Sequence, residues 1–127
     1  MTAGYEVGSS VTVRALHQMP MPGPEGELHA HDYRFDVVVA RGRLDEHGMV
    51  CDLDVLRDAM AAMAARIRDR DLEEIRPPEV EAVTVEVLAR WAHRQLGDAL
   101  GGSGADTLAV RVFETPSDFG GYAGPLP

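Results

Sequence analysis

From Leu28 to Arg41 one parity of the chain reads His29, His31, Tyr33, Phe35, Val37, Val39, while Arg34, Asp36 and Val38 fall on the other. Successive side chains of a strand point to opposite faces, so this period-two pattern makes the segment a β-strand with one buried face. The buried row begins in imidazoles and becomes aromatic and then aliphatic. A polar site is therefore expected at the end of an otherwise apolar sheet face.

His29 and His31 point the same way on such a strand and could bind one metal ion. Upstream, Val11 to His17 alternates in the same manner and is rich in β-branched residues, which makes it a second strand. If it folds back as the antiparallel partner, His17 arrives at the same place. Three neutral imidazoles with one open position form a catalytic zinc site. The competing reading is that two of the five histidines lie close together on a solvated strand, since a His-x-His motif alone has little specificity.

Residues Met1 to Ser10, with glycines and small polar side chains, are read as a lead into the first strand. From Gln18 to Glu27 three prolines lack donors and fix the backbone, so the segment is a loop that could drape over a metal site, its two methionines either capping a pocket or, the preferred reading, packing. Gly42 to Gly48 turns the chain and leaves His47 in solvent. Asp52 or Asp54 then caps a helix whose apolar positions are Leu56, Met60, Met63 and Ile67. Pro77 and Pro78 end the following charged stretch. Thr84 reads as the cap of a second helix, with Val85, Leu88, Ala92, Leu96 and Leu100 on its buried stripe and His93 a surface or interface residue rather than a ligand. Thr107 to Glu114 and Phe119 to Ala123 complete the strands. The order β-β-α-α-β-β, joined by hairpins, predicts an α+β fold: one antiparallel sheet with both helices on one face.

A chain of 127 residues suffices for one domain, taken as residues 1–127. No apolar run is long enough to span a bilayer, and the N-terminus has no basic segment followed by an apolar one, so neither membrane insertion nor secretion is expected. A single cysteine, Cys51, excludes an internal disulfide and fits a reducing cytoplasm. The net charge of -9 argues against nucleic acid as a partner. All twelve basic residues are arginine, which excludes Schiff-base and lysine-base chemistry.

Val13-Arg-Ala-Leu-His17, Glu25-x-x-Leu-His29-Ala-His31-x-Tyr33, Gly48-Met-Val-Cys-Asp-Leu53, Thr84-x-Glu86 and Phe113-Glu-Thr115 follow one another in an order and spacing that resembles the 6-pyruvoyltetrahydropterin and 6-carboxytetrahydropterin synthase family. The resemblance spans nearly the whole chain. It implies the tunnelling fold, in which sheets of several subunits join edge to edge, so a homo-oligomer with sites at subunit junctions is expected. It also implies zinc on His17, His29 and His31, and a lyase acting on a small pterin-like substrate. The synthases' cysteine is replaced here by Glu25, and their Asp-His dipeptide by Asp71-Leu72. Glu25 matches a branch that has glutamate at this position and cleaves the side chain of dihydroneopterin by a retro-aldol step. Glu25 is therefore the expected acid/base, with Asp71 a further catalytic candidate. Glu114 matches the anchor that accepts paired hydrogen bonds from the pterin's amino-pyrimidine edge. Glu27, which on a strand would align with the two histidines, and Thr84 are the remaining substrate-binding candidates, although Thr84 fits a helix cap equally well. Two alternatives stand beside this reading: a zinc lyase or cyclase recruited to a non-pterin substrate in bacterial specialised metabolism, and a non-catalytic ligand-binding relative.

Overall fold

The computed structural model describes residues 4–127. Strands β1 (Tyr5–His17) and β2 (His29–Arg41) form a long hairpin, helices α1 (Leu53–Ile67) and α2 (Val85–Leu100) follow, and β3 (Thr107–Phe113) and β4 (Phe119–Pro125) return to the sheet. The strands lie in the order β1-β2-β3-β4, each pair antiparallel. This is the α+β arrangement expected from the sequence.

The register shows how alternation becomes a core. Val13 faces Tyr33 across the β1–β2 pair, and Phe35, Val37 and Val39 face Val112, Val110 and Leu108 across β2–β3. All of these are buried, together with Leu56, Met60, Met63 and Ile67 of α1 and Leu88, Ala92, Leu96 and Leu100 of α2. Both helices therefore cover one face, and each fully buried large apolar side chain contributes about 1.5–3 kcal/mol relative to exposure. Asp52, rather than Asp54, caps α1 by accepting from the Asp54 N–H at 2.8 Å. Thr84 caps α2, its Oγ1 accepting from the Val87 N–H at 3.2 Å.

β1 is longer than its composition suggests, because residues 5–10 pair in register with Arg41 back to Asp36. Cross-strand pairing overrides the weak strand preference of Gly8, Ser9 and Ser10. The expectation for Met1 to Ala3 lies outside the described residues. His93 corrects the surface assignment: it is 6% exposed, its Nε2 directed at the Gly124 carbonyl at 3.3 Å and its ring against Tyr122. β4 covers that flank of α2, which helical periodicity alone does not reveal.

The segment between the helices runs along β1 near its end. Asp69 N–H donates to the Arg14 carbonyl, and the Leu16 N–H to the Arg70 carbonyl at 2.9 Å. Over Tyr5 to Val13, the outer edge of β1 has no strand partner among the described residues, and neither has that of β4. None of the helices among the described residues is long and apolar enough to cross a membrane.

Candidate metal centre and adjoining cleft

Strand register assembles the three histidines. His17 and His29 are direct cross-strand partners, and His31 stands opposite Ala15, whose small side chain leaves room for the ring. One ring nitrogen from each histidine lies within 4.8 Å of the other two. Both ring nitrogens of His17 and the Nε2 atoms of His29 and His31 are buried without a hydrogen-bond partner among the described residues. Buried polar atoms are almost always paired, and several orphaned nitrogens converging on one point form a group that could hold a shared cation.

The chemical state of the rings fits the same purpose. Burial lowers the His17 pKa, and the neighbouring His29 and His31 lower it further, so this imidazole is held neutral; the Val83 backbone and the Glu114 carboxylate pull weakly the other way. A neutral ring retains the lone pair that a metal requires. The Nδ1 of His29 donates to the Glu27 carbonyl at 2.7 Å, which fixes the tautomer and leaves Nε2 as the free acceptor.

A cleft of about 260 Å³ opens beside His17, lined by Glu25, Tyr33, Thr84, Glu86 and Glu114 together with Met19 and Met21. Three of the sequence-predicted residues, Glu25, Thr84 and Glu114, thus share one space with a histidine of the metal cluster. Glu25 is carried on a 3₁₀ turn over Pro24–Gly26, and its Oε2 lies 3.4 Å from His29 Nε2. Glu114 follows directly on β3 and is half-buried. Burial raises the Tyr33 pKa far above its ordinary value, with Glu114 and Glu25 adding to the effect, so the phenol remains a proton donor beside two carboxylates.

Three expectations change. Glu27 lies outside β2, following the 3₁₀ turn; its carboxylate is exposed, and its carbonyl is the part that meets His29. The prolines displace it from the strand on which it would have joined the histidine face. Asp71 lines a second cleft of about 310 Å³ with His17, Glu73 and Glu81, whereas Glu25 lines the smaller one. Its carboxylate accepts from the Glu73 N–H at 2.9 Å and starts a 3₁₀ turn. Met19 and Met21 line the Glu25 cleft, with Met21 51% exposed, so of the two readings the pocket-capping one holds and the preferred packing one does not. Tyr33 and Glu86 were not singled out as site residues. The parity of Tyr33 with the histidines was the available signal, whereas Glu86 was indistinguishable from an ordinary first-turn acid.

The sequence model of the 6-pyruvoyl tetrahydropterin synthase family matches residues 8–125. The chain belongs to this family. A protein of Archaeoglobus fulgidus, provisionally assigned as a 6-carboxy-5,6,7,8-tetrahydropterin synthase, is 26% identical over 91 residues, covering 71% of this chain and 78% of that protein. Among solved structures, the Caenorhabditis elegans 6-pyruvoyl tetrahydropterin synthase superposes with a TM-score of 0.70 at 21% identity, covering 97% of each chain. A Plasmodium vivax 6-pyruvoyltetrahydropterin synthase variant superposes with a TM-score of 0.80 at 13% identity, covering 97% of this chain and 99% of that one. These likenesses establish the tunnelling fold of the 6-pyruvoyl tetrahydropterin synthase family for this chain.

Proposed function

We propose that the protein is a zinc-dependent lyase that cleaves the side chain of a reduced pterin, with Glu25 as the proton-transfer group and Glu114 as the anchor for the ring. The observation carrying this reading is the shared cleft: Glu25, Glu114 and Thr84 open onto the space beside His17, and Glu25 approaches the histidine cluster. Zinc bound by His17, His29 and His31 would polarise the substrate's side-chain oxygens and offset the negative charge that develops as the bond breaks.

Glu114, half-buried, would accept two hydrogen bonds from an amino-pyrimidine edge, a geometry that orients the ring as well as holding it. Glu25 would take the hydroxyl proton from the side-chain carbon beyond the scissile bond. That carbon leaves as an aldehyde, the bonding electrons pass to the ring system, and the same carboxyl group returns the proton to the carbon left on the ring. Tyr33 would add a donor beside both carboxylates. Asp71 would act from the second cleft, which His17 also lines. The Plasmodium vivax relative supports a role for a carboxylate here, because two of its structures carry substitutions of a glutamate described as a catalytic residue.

The unpaired edges of β1 and β4 support edge-to-edge assembly of several copies, which would also remove the exposed strand edges. One observation favours a recruited enzyme with another substrate: the residue after Asp71 is Leu72, 1% exposed and part of the core, so no second proton carrier stands there. The experiment that decides is incubation of zinc-loaded protein with dihydroneopterin, products being followed by mass spectrometry. Formation of 6-hydroxymethyldihydropterin, abolished by Glu25→Gln, is expected. Zinc-loaded protein that neither turns over nor binds the pterin would overturn the assignment in favour of the recruited enzyme.

A further inference from the structure

We infer that Glu25 is a fourth, displaceable ligand of the metal, closing the site between turnovers and moving off to handle the proton when substrate enters. This inference rests on the three-histidine metal centre of the proposed function. Its evidence is the contact between Glu25 Oε2 and His29 Nε2 at 3.4 Å. That distance is too long for an ordinary N–H···O hydrogen bond, and Nε2 has no aligned hydrogen-bond partner among the described residues. Because His29 Nδ1 donates to the Glu27 carbonyl, Nε2 presents a lone pair toward a carboxylate oxygen. With the ring neutral, two lone pairs face each other here, an approach that a cation shared between them relieves. Two ligands of one tetrahedral zinc, each bonded at roughly 2.0–2.2 Å, stand about 3.4 Å apart. The observed separation is thus the spacing of two vertices around a common ion.

The backbone of the loop holds Glu25 in place while leaving its side chain room to swing. The Met19 N–H donates to the Glu25 carbonyl at 2.7 Å, and Gln18 Nε2 to the Gly26 carbonyl at 2.7 Å, so the turn is pinned at Glu25 and at the residue after it. The Glu25 side chain itself is 58% exposed. Such a carboxylate can bind the ion in a resting site and yield its position to a substrate oxygen. In doing so it becomes a free base within reach of the substrate that displaced it.

Cobalt(II) in place of zinc gives a readout independent of turnover, because the visible bands of tetrahedral cobalt respond to each ligand. Wild type, Glu25→Gln and Glu27→Gln are to be titrated with cobalt(II), with His29→Ala as the metal-free control and circular dichroism as the check on folding. We expect one cobalt per chain with the same tetrahedral spectrum in wild type and Glu27→Gln. In Glu25→Gln the bands should shift and the affinity fall by about tenfold or more. Identical spectra and affinities in all three would overturn the role of Glu25 while leaving the metal centre intact. Wild type that binds no more cobalt than His29→Ala would overturn the metal centre itself.

Discussion

The two ends of β2 share one strand, one face and one periodicity, yet one end is core and the other carries the histidine cluster. Phe35, Val37 and Val39 lie under α1 and α2 and are no more than 1% exposed. His29 and His31, four to ten residues back on the same parity, are half-buried, and the cleft beside their partner His17 is lined by Met19, Met21 and Glu25 of the loop together with Thr84, Val85 and Glu86 at the start of α2. Strand geometry delivers side chains to a face; what covers that face decides their chemistry. Where helices pack, burial is apolar and complete. Where the loop and the first turn of α2 meet the sheet, buried ring nitrogens are left without partners and a cleft opens beside them.

That contrast can be broken from the core end with the largest effect. Phe35→Ala removes a side chain with no exposure, and the expected loss is about 3–5 kcal/mol in the urea unfolding free energy. A loss below about 1 kcal/mol would mean that the helices do not seal this end. At the site end, Gly26→Ala should act on function instead of stability. A Cβ on Gly26 would collide with the Met21 carbonyl oxygen, so the turn carrying Glu25 must move, whereas the turn contains no buried residue. Pterin cleavage should fall about a hundredfold, as expected for a misplaced acid/base group, with little change in the unfolding midpoint.

Thr84 lies on the border between the two regions, capping α2 and lining the cleft. Thr84→Ala should cost about 1 kcal/mol in unfolding free energy through the lost cap. Thr84→Ser, which restores the cap, should recover that stability; if it does not, the contribution of Thr84 lies elsewhere. The smallest effect concerns pH in the metal-free protein. The folded state holds the His17 pKa below its ordinary value of 6.5, so the unfolded chain binds the extra proton first as pH falls. Stability should therefore decline as pH drops through about 6.5 toward the lowered value and remain flat above it. His17→Gln should show a shallower decline in unfolding midpoints between about pH 7.5 and 5.5; an equal slope would place the proton uptake on another group.

The parts of the molecule legible in sequence were those fixed by local rules. Alternation placed β2 and its buried row, apolar spacing placed α1 and α2, and Asp52 and Thr84 were recognisable as caps. The histidine cluster was legible because it needed only the β1–β2 hairpin and strand parity. What escaped depended on contacts between distant segments. Pairing with β2 extends β1 through glycine and serine, and the docking of β4 buries His93. Proline geometry took Glu27 off the histidine face, and the linker between the helices put Asp71 into the neighbouring cleft. The family match located Glu25 and Glu114 as candidates, and the folded chain brings both onto one cleft.

The claim underlying all of this is that the open end of the sheet is a metal centre. Elemental analysis of zinc-loaded, dialysed wild type beside His29→Ala tests it most directly. One zinc per chain in wild type and none in His29→Ala is the predicted result. Wild type that retains no zinc, or His29→Ala that retains as much, would contradict it.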